Sequence, residues 1–404
     1  MQIANALAAS ILLLSSLASA QTTHVVGPGG FAQIRDALAA AATGDIIHVH
    51  PGVYAQFSVT TGVTIRALTP GTVAVGFDQS VLPSNCIHNP TCAASNEATS
   101  IDIPNGETTN LIGLNFQAST VTGLGTSIQH HVAVRSGTAT FADCHIESFH
   151  SEALLVTNAT VHLANCVISG ADLGNTSRGI RGVSANITAI DSEIFGSQVG
   201  IGLLPPGEAV LMTNSRFHGC GLLLRGGQTL GNTQGSNAVT ASLGSVWISD
   251  SALQGGPLSC PIAKTGSMPR LDRVTIIAQT FNCMNVPPSG SLISISQSQP
   301  LQIGQWANFN LRTAPSGLLA IYASTDLAAM PIAGFEQPIW LDAANAFNVG
   351  FHVAGFLGHS SASVLIPNSP AVMDQAIWFQ AVGTTTWPFA STLQVSPIAG
   401  GVIR

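Results

Sequence analysis

One short pattern recurs seven times between Leu111 and Ile276, and each copy reads apolar, any, polar, small, any, apolar. The copies are LIGLNF (111–116), FADCHI (141–146), LANCVI (163–168), AIDSEI (189–194), MTNSRF (212–217), ISDSAL (248–253) and LDRVTI (271–276). A unit of roughly 23 residues with excess length in loops is typical of repeat architectures. Because side chains alternate across a strand, the simplest interpretation is one strand per turn of a solenoid.

When the copies are aligned, their columns distinguish core positions from positions that could hold catalytic residues. The first and last columns are apolar and should point inward, whereas the fourth column narrows to small residues whose hydroxyl groups need partners. The third column holds Gly113, Asp143, Asn165, Asp191, Asn214, Asp250 and Arg273. We interpret it as a ladder of turns, because Asp and Asn satisfy backbone groups locally. We favour that interpretation over a catalytic role for Asp143, Asp191 and Asp250.

Charged residues are scarce, at 8% of the chain, while 46% of the residues are hydrophobic. A typical soluble domain is about 25% charged, so Ser, Thr, Asn, Gln and Gly must form most of the surface. With a net charge of −7 and no basic cluster, we expect no nucleic-acid partner. Long-range attraction to a polyanionic glycan is disfavoured too, unless a bound cation intervenes.

The first 20 residues, MQIANALAASILLLSSLASA, form an apolar run that ends in Ala-Ser-Ala. Such a run predicts a secretory signal peptide, although no Lys or Arg lies near its start. Its strongest apolar stretch is well short of the roughly 20 residues that a membrane-spanning helix needs. We therefore expect a secreted protein, extracellular or on the cell surface, with no membrane span in the mature chain.

The next segment, GPGGFAQIRDALAAAATGDIIHVHPGVYAQFSVTTGVTIRAL, combines an amphipathic stretch, a Gly-Asp turn and two short strands. With the repeats, it resembles right-handed parallel β-helix proteins of the pectate-lyase-like (pectin lyase fold) superfamily, over residues 24–285. The resemblance implies an all-β right-handed parallel β-helix whose N-terminal end is covered by a short helix. Since superfamily members include lyases, hydrolases, epimerases and adhesins, the resemblance implies a fold and leaves the activity open.

Seven cysteines in an exported chain permit disulfides. Cys86 and Cys92 bracket the short loop CIHNPTC and form the clearest pair. Cys260 and Cys283 are another candidate pair, which leaves Cys220 unpaired.

Cys144 and Cys166 occupy the same column of adjacent copies. Parallel strands about 4.8 Å apart allow this pair either to form a disulfide or to stack as small apolar residues, and we favour stacking. No CxxC or Cys/His cluster suggests zinc. The sequence also lacks a clear cluster of carboxylates that would indicate calcium, so we expect no cofactor.

From about Pro287 the pattern changes, beginning with the linker-like stretch VPPSGS. Short alternating runs separated by Gly, Pro and Asn then predict an antiparallel β-sandwich. Within it, IPNSPAVMDQAIWFQAV resembles a C-terminal module of secreted bacterial proteins. We therefore expect three parts: a signal peptide (1–20), a β-helix (21–286) and a C-terminal β-sandwich (287–404).

Ionisable residues are densest in one part of the chain, which contains Glu147, His150, Glu152, Asp172, Arg178 and Arg181. A uronate lyase needs a cation or a basic side chain to neutralise the substrate carboxylate, and a base to remove the C5 proton. Arg178 or Arg181 could neutralise the charge, and His150 or another Arg could be the base. A functional site is only one explanation for clustered charges.

A hydrolase would instead need two carboxylates roughly 5 to 10 Å apart, and Glu147 with Asp172 or Glu193 is the available choice. Glu193 and Arg216 also fall in one outward column on adjacent copies, about one strand spacing apart. A surface ion pair explains them as well as a site does. The candidate catalytic residues are Glu147, His150, Arg178, Arg181, Glu193 and Arg216.

The motif series of known superfamily enzymes are missing, including the vWiDH and RxPxxR segments of pectate lyases and the NTD, DD, GHG and RIK series of polygalacturonases. Two functions follow as hypotheses. The first is a protein that binds or acts on an extracellular polysaccharide, as a lyase or a hydrolase. The alternative is a non-catalytic surface or adhesive protein with the β-helix as a rigid scaffold. The oligomeric state stays open.

Overall fold

The computed structural model describes the chain in segments, and the statements below concern those segments alone. They are residues 21–76, 97–117, 130–148, 152–170, 178–199, 206–229, 235–257, 259–266, 269–277, 292–297, 299–325, 327–330, 335, 339–342, 345–373, 375–384 and 393–403. The signal peptide, Cys86, Cys92, Cys283 and the 286/287 boundary lie outside them. The predictions made for these features therefore stay predictions.

Residues 21–277 form a parallel β-solenoid that contains one short α-helix. Its elements are β1 (Thr23–Val26), α1 (Ile34–Ala40), β2 (Ile46–Val49), β3 (Gly52–Ala55), β4 (Ser58–Val59), β5 (Thr64–Ala67), β6 (Val73–Gly76), β7 (Glu97–Asp102), β8 (Thr108–Ile112), β9 (Leu114–Phe116), β10 (His130–Ser136), β11 (Thr138–Ala142), β12 (His145–Ser148), β13 (Glu152–Thr157), β14 (Thr160–Ala164), β15 (Val167–Gly170), β16 (Arg178–Val183), β17 (Asn186–Ile190), β18 (Glu193–Phe195), β19 (Gln198–Val199), β20 (Val210–Cys220), β21 (Leu223–Arg225), β22 (Gln228–Thr229), β23 (Val239–Ser249), β24 (Ala252–Gln254), β25 (Ile262–Thr265), β26 (Arg270–Asp272) and β27 (Thr275–Ile277).

Each coil contributes strands to the same sheets, and equivalent strands of successive coils pair in parallel. A nine-stranded sheet runs from β3 through β6, β9, β12, β15, β18, β21 and β24 to β27. A sixteen-stranded sheet holds most of the remaining solenoid strands, and β20 and β23 pass through a bend and belong to two of its ladders. The parallel solenoid predicted from the repeats is confirmed, while its right-handedness stays a prediction. The expectation of one strand per turn is wrong, because a coil such as that of β10, β11 and β12 contributes three strands.

The interior is filled by the apolar columns that the sequence predicts. Every member of the first and last columns is buried except Ile276, which is 44% exposed. Phe57, Phe116 and Phe141 stack through this core, with ring centroids 6.3 and 6.4 Å apart. Ile276 differs because β27 is the last strand of its sheet, and no described strand follows to cover it.

Helix α1 lies beside the first strands of the solenoid. It buries Ile34 and Ala37, while Phe31 and Leu38 pack against the main core from its edge. This packing agrees with the amphipathic pattern of the sequence. That the helix closes the N-terminal end of the stack stays a prediction.

The C-terminal module is built from antiparallel strands and one 3-10 helix. Its elements are β28 (Ser294–Gln297), β29 (Trp306–Arg312), β30 (Leu318–Ser324), β31 (Leu327–Met330), β32 (Ile339–Leu341), β33 (Phe347–Val353), β34 (His359–Leu365), the 3-10 helix (Pro370–Val372), β35 (Ala376–Thr384) and β36 (Leu393–Val402). They form a three-stranded sheet (β28-β29-β34), a four-stranded sheet (β33-β30-β35-β36) and a two-stranded sheet (β31-β32). These antiparallel sheets agree in part with the predicted sandwich.

The two larger sheets share one core, in which the rings of Phe309 and Phe379 lie 4.5 Å apart. The same core includes Ala164, Ile190 and Cys220, which belong to the solenoid. The C-terminal module therefore packs against one outer face of the solenoid. Residues of both parts line a cleft beside this contact.

Candidate functional site

Two columns of left-handed bends run along the solenoid, and one of them is the predicted ladder of turns. Its members all have positive φ, between 46° and 69°, and are Gly113, Asp143, Asn165, Asp191, Gly221, Asp250 and Arg273. A side-chain amide links two of them, because Nδ2 of Asn165 donates to Oδ1 of Asp143 across 2.6 Å. The predicted conformational role of Asp143, Asp191 and Asp250 is thus confirmed.

The fifth sequence copy was assigned to the wrong bend. Strand pairing places Ile190 opposite Cys220. The residues that follow them, Asp191 and Gly221, therefore occupy equivalent positions on adjacent coils. Asn214 instead belongs to the second column of bends, which also contains Gly137, Asn158 and Ser184. The sequence pattern could not separate the two columns, because Asn, Asp, Gly and Ser suit either bend.

The serines that directly follow the bends, Ser192, Ser215 and Ser251, are hydrogen-bonded in the same way. Ser192 donates to the carbonyl of Ile190, and its oxygen accepts from the N–H of Cys166 on the preceding coil. Ser251 repeats this arrangement with Ser249 and Leu222. The predicted need of these serines for partners is confirmed, and each one ties two coils together.

The cysteines of this region are thiols. Cys144 and Cys166 are buried and unbridged, and their Sγ atoms donate to the carbonyls of Leu111 and Phe141 at 3.3 Å. Burial raises the pKa of Cys166 to about 12. The favoured stacking of this pair is confirmed, as is the unpaired state of Cys220.

Arg178 and Arg181 bind protein carboxylates in an ion cluster around Glu152. Both donate from Nη1 to Oε1 of Glu152 at 3.2 Å, and Nε of Arg178 donates to Glu208 at 2.8 Å. The Glu152 side chain is only 2% exposed. Both guanidinium groups are already balanced by protein carboxylates, so the cluster is suited to holding coils together.

The other candidates are separated from this cluster. Glu147 is paired in register with Ser169 on the nine-stranded sheet, and it makes no ion pair with any other described residue. Glu193 is exposed between Val167 and Leu223 of the neighbouring coils. His150 and Asp172 lie outside the described residues.

The predicted adjacency of Glu193 and Arg216 is wrong. Arg216 pairs with Asn186 and Ser245 in the other sheet, because the fifth copy was displaced by one bend. Leu223 is the true neighbour of Glu193. No Glu193–Arg216 site therefore exists on the outward column.

An open cleft lies where the first column of bends meets the C-terminal module. It consists of two adjoining cavities of about 640 and 650 Å³. We name it the bend cleft and define it by Asp191, Gly221, Asp250, Arg312 and His359. Glu193 and Arg273 line its solenoid side, so Glu193 is the one sequence candidate that this part of the structure brings to the cleft.

Asp250 is held in the cleft by groups from both parts of the chain. Arg273 donates to it from Nε at 2.7 Å and from Nη2 at 3.0 Å, Ser294 donates at 2.7 Å, and Arg312 donates at 3.2 Å. Burial alone would raise the pKa of Asp250. The hydrogen bonds and positive charges of these partners outweigh burial, so the pKa lies below its ordinary value.

Asp191 has the same backbone conformation but a different environment. No described side chain donates a hydrogen bond to its carboxyl group, and the next residue in its column is Gly221. A Cβ atom at Gly221 would collide with Oδ1 of Asp191, so only glycine leaves room there. Asp191 is exposed to solvent, but the surrounding atoms of the cleft remove part of its water and raise its pKa to about 6.

The sequence does not reveal this cleft, for two reasons. Asp191 and Asp250 look like ordinary ladder residues, and the replacement of one ladder residue by Gly221 was hidden by the displaced fifth copy. In addition, Arg312 and His359 come from a module whose docking position the sequence does not encode in any local pattern. The sequence signal for the cleft is Gly221, which stands between Asp191 and Asp250 in the column and has no side chain.

Within the segments described, no three His, Cys, Asp or Glu side chains gather into a group that could hold a metal ion. The same segments contain no helix long and apolar enough to cross a membrane.

Comparison with known proteins gives a likeness to solved structures only. No protein-family model matches the chain, and no curated protein matches it. It is similar to a pectin methylesterase in complex with a hexasaccharide, at 12% identity and a TM-score of 0.38, over 67% of this chain and 93% of that one. A tailspike protein of bacteriophage CBA120 gives 11% identity and a TM-score of 0.29, over 90% and 68%. A tailspike capsular polysaccharide depolymerase of Acinetobacter baumannii bacteriophage Fri1 gives 10% and 0.22, over 91% and 78%.

Proposed function

We propose that this protein is an exported β-solenoid that binds an extracellular polysaccharide in the bend cleft and hydrolyses it. The observation that carries the proposal is the geometry of the bend cleft, in which Asp191 and Asp250 are carboxyl groups of one column on either side of Gly221. They share one column of bends, yet the pKa of Asp191 is raised to about 6 and that of Asp250 is lowered. Two carboxyl groups pushed apart in this way suit one acid and one base.

The spacing of the two residues fits the reaction. They lie two coils apart, with Gly221 between them, so their Cα atoms are separated by about 10 Å, twice the strand spacing. Inverting glycoside hydrolases keep about 6.5–9.5 Å between their carboxyl groups, which leaves space for the attacking water, and Cα atoms this far apart allow the two side chains to reach that range. The glycine at position 221 accommodates the Asp191 carboxyl group, whose Oδ1 lies where a Cβ atom would be.

In the proposed reaction, protonated Asp191 donates its proton to the glycosidic oxygen as the bond from that oxygen to the anomeric carbon breaks. A water molecule bonds to the anomeric carbon and loses a proton to Asp250. Arg273 and Arg312 hold the Asp250 carboxylate in place before the reaction begins. Such positioning is itself a large part of catalysis.

A lyase is less well supported than a hydrolase. Lyase chemistry on a uronate needs a cation that is available to the substrate carboxylate. Arg178 and Arg181 are bound to Glu152, and Arg178 also binds Glu208. Binding a substrate carboxylate there would strip the buried Glu152 of partners, which is costly.

The test is a screen of the secreted protein against a set of polysaccharides for new reducing ends and for unsaturated products. New reducing ends that disappear in an Asp191→Asn variant would support the proposal. Unsaturated products would indicate a lyase. No product from any glycan, together with no binding, would overturn both binding and hydrolysis. The same expression experiment checks export and removal of residues 1–20 by mass spectrometry of the secreted chain.

A second candidate is a non-catalytic surface protein. The observation that favours it is the exposed apolar tip of the C-terminal module, where Phe351, Phe356 and Leu357 are 79%, 90% and 79% exposed. An apolar group of this kind often marks a contact site. Glycan binding without any product would support this candidate, with the solenoid as a rigid scaffold.

A further inference from the structure

We propose that the bend cleft continues along the outer face of the three-stranded C-terminal sheet, and that this face binds successive units of a linear, uncharged polysaccharide. The face is named the sheet strip and is defined by Trp306, Asn308, Asn310 and Arg312 of β29. The inference rests on the proposed function, because it assigns the substrate class and the binding track of the same cleft.

The sheet strip follows from strand geometry. Trp306, Asn308 and Asn310 are exposed and alternate with the buried residues Ala307 and Phe309. Since side chains alternate across a strand, the exposed residues share one face with Arg312. The span from Trp306 to Arg312 is about 20 Å at the usual rise per residue. Arg312 and Asn310 line the bend cleft, so the strip begins inside the cleft and leads away from it.

The neighbouring strand extends the same surface. On β34, Ser361 lies opposite Asn310, Ser363 lies opposite Asn308, and Leu365 lies opposite Trp306. Directly opposed residues of an antiparallel pair project from the same face. The strip is therefore two strands wide, with hydroxyl and amide groups in its middle and an apolar pair at its far end.

The chemistry of the strip suits sugar hydroxyl groups. Ser363 donates from Oγ to Oδ1 of Asn308 at 2.7 Å, which fixes the orientation of the amide. Fixed amide and hydroxyl groups offer both donors and acceptors, as a ligand covered with hydroxyl groups requires. Such pre-orientation lowers the entropy cost of binding.

Trp306 gives the strip an apolar end. Its side chain is 58% exposed, and its cross-strand neighbour Leu365 is 47% exposed. A flat ring beside an aliphatic side chain presents apolar area that water solvates poorly. The C–H face of a sugar ring can cover that area while its hydroxyl groups contact the adjacent polar residues.

The charges favour a neutral chain over a uronate chain. At the cleft end of the strip, Arg312 is bound to Asp250, which Arg273 also holds. Beyond Arg312, the strip residues Trp306, Asn308 and Asn310 carry no charge. A carboxylated sugar bound along them would lose water without gaining a cation, which is unfavourable.

The test uses the full secreted protein and oligosaccharides of two and six units from cellulose, xylan and mannan, with hexagalacturonate as the charged probe. Calorimetry and tryptophan fluorescence give the Kd for each. We expect at least one neutral hexamer to bind about tenfold more tightly than its dimer, a difference of about 1.4 kcal/mol. Trp306→Ala should remove most of that gain and leave the dimer unaffected. Phe356→Ala, an exposed aromatic outside the strip, is the matched control and should change neither.

The outcomes separate this inference from the proposed function. If neutral dimers and hexamers bind equally, or if Trp306→Ala binds the hexamer as the unaltered protein does, the sheet strip is wrong while the bend cleft stands. Tighter binding of hexagalacturonate would overturn the neutral substrate class. If no glycan binds at all, both proposals fall. Equal thermal unfolding temperatures of Trp306→Ala and Phe356→Ala would show that a loss of affinity in Trp306→Ala is not caused by unfolding.

Discussion

Arg312 of the C-terminal module donates from Nη1 to Oδ1 of Asp250 on the solenoid at a distance of 3.2 Å. This ion pair joins two parts of the chain that the sequence predicts separately. Asp250 also accepts hydrogen bonds from Arg273 on its own solenoid. Arg273 therefore keeps Asp250 paired even when the module is altered, and Arg312 can be tested alone.

We expect Arg312→Gln to weaken the contact between module and solenoid modestly. Because the Arg312 side chain is 40% exposed, solvent screening limits the loss to about 0.5–1 kcal/mol in the free energy of unfolding. The loss should be larger at low salt than at high salt. Urea unfolding at two salt concentrations measures it. Arg35→Gln, which removes the long surface pair with Asp36, should show almost no loss, and an equal loss in both variants would contradict the prediction.

Asp191→Asn should abolish hydrolysis and increase stability. Loss of a general acid costs about 10²- to 10⁴-fold in rate. In the unaltered protein, kcat/KM should fall as the pH rises through about 6, because Asp191 must be protonated to act. Initial rates of reducing-end release between pH 4 and pH 8, together with glycan binding by the variant, check this.

The stability change has a definite sign. A carboxyl group whose pKa is raised on folding binds more protons in the folded state, so the stability it contributes falls between the unfolded value of 3.8 and the folded value of about 6. Asparagine does not titrate, so the Asp191→Asn variant avoids this loss. Its free energy of unfolding at pH 7 should be higher by about 1 kcal/mol or less after solvent screening. Asp143→Asn is the matched control, because it changes the same ladder position beside Asn165. Unaltered activity in Asp191→Asn would exclude the proposed acid.

A second pH dependence should arise from two buried histidines of the solenoid. His162 and His218 are buried on the outer face of the solenoid, against Trp340 and Trp247 respectively. Burial lowers the pKa of each to about 3. Unfolded imidazoles take up protons near pH 6.5, so the stability from these groups is complete above pH 6.5 and is lost as the pH falls toward 3.

The measurement is the free energy of unfolding from pH 7 to pH 4, with a slope of up to about 1.4 kcal/mol per pH unit for each histidine. His218→Phe should keep its packing on Trp247 and flatten the slope, since Nδ1 of His218 has no hydrogen-bond partner in the described chain. His145→Phe replaces a half-buried imidazole on the nine-stranded sheet as a control. A steeper or unchanged slope in His218→Phe would contradict the prediction.

The solenoid could be predicted from sequence because its determinants are local and repeated. Leu163 and Ile168 show the reason: an apolar residue recurs at each of these two positions in the copies, and only Ile276 of the final strand is exposed. Register is harder to predict, because a bend tolerates the same residues wherever it occurs. Asn214 and Asp191 both have positive φ, yet they belong to different columns, and only strand pairing distinguishes them.

The site could be predicted only in part, because it depends on contacts between distant segments. The sequence predicts that Arg178 or Arg181 neutralises a substrate carboxylate, but both bind the buried carboxylate of Glu152 instead. The bend cleft needs Arg312, 62 residues beyond Asp250 in the chain. No pattern within one repeat specifies such a partner.

The ion cluster around Glu152 should contribute to the stability of the solenoid and not to catalysis. Glu152→Gln keeps the shape but removes the charge that holds Arg178 and Arg181. Leaving these groups without their buried partner should cost about 1–3 kcal/mol, less than for a fully buried pair because both arginines reach solvent. The free energy of unfolding measures the cost. Hydrolysis should be unchanged at a temperature where the variant is folded, and a Glu147→Ala, Arg181→Ala double variant should also remain active. Loss of activity in the folded double variant would return the catalytic site to that cluster and away from the bend cleft.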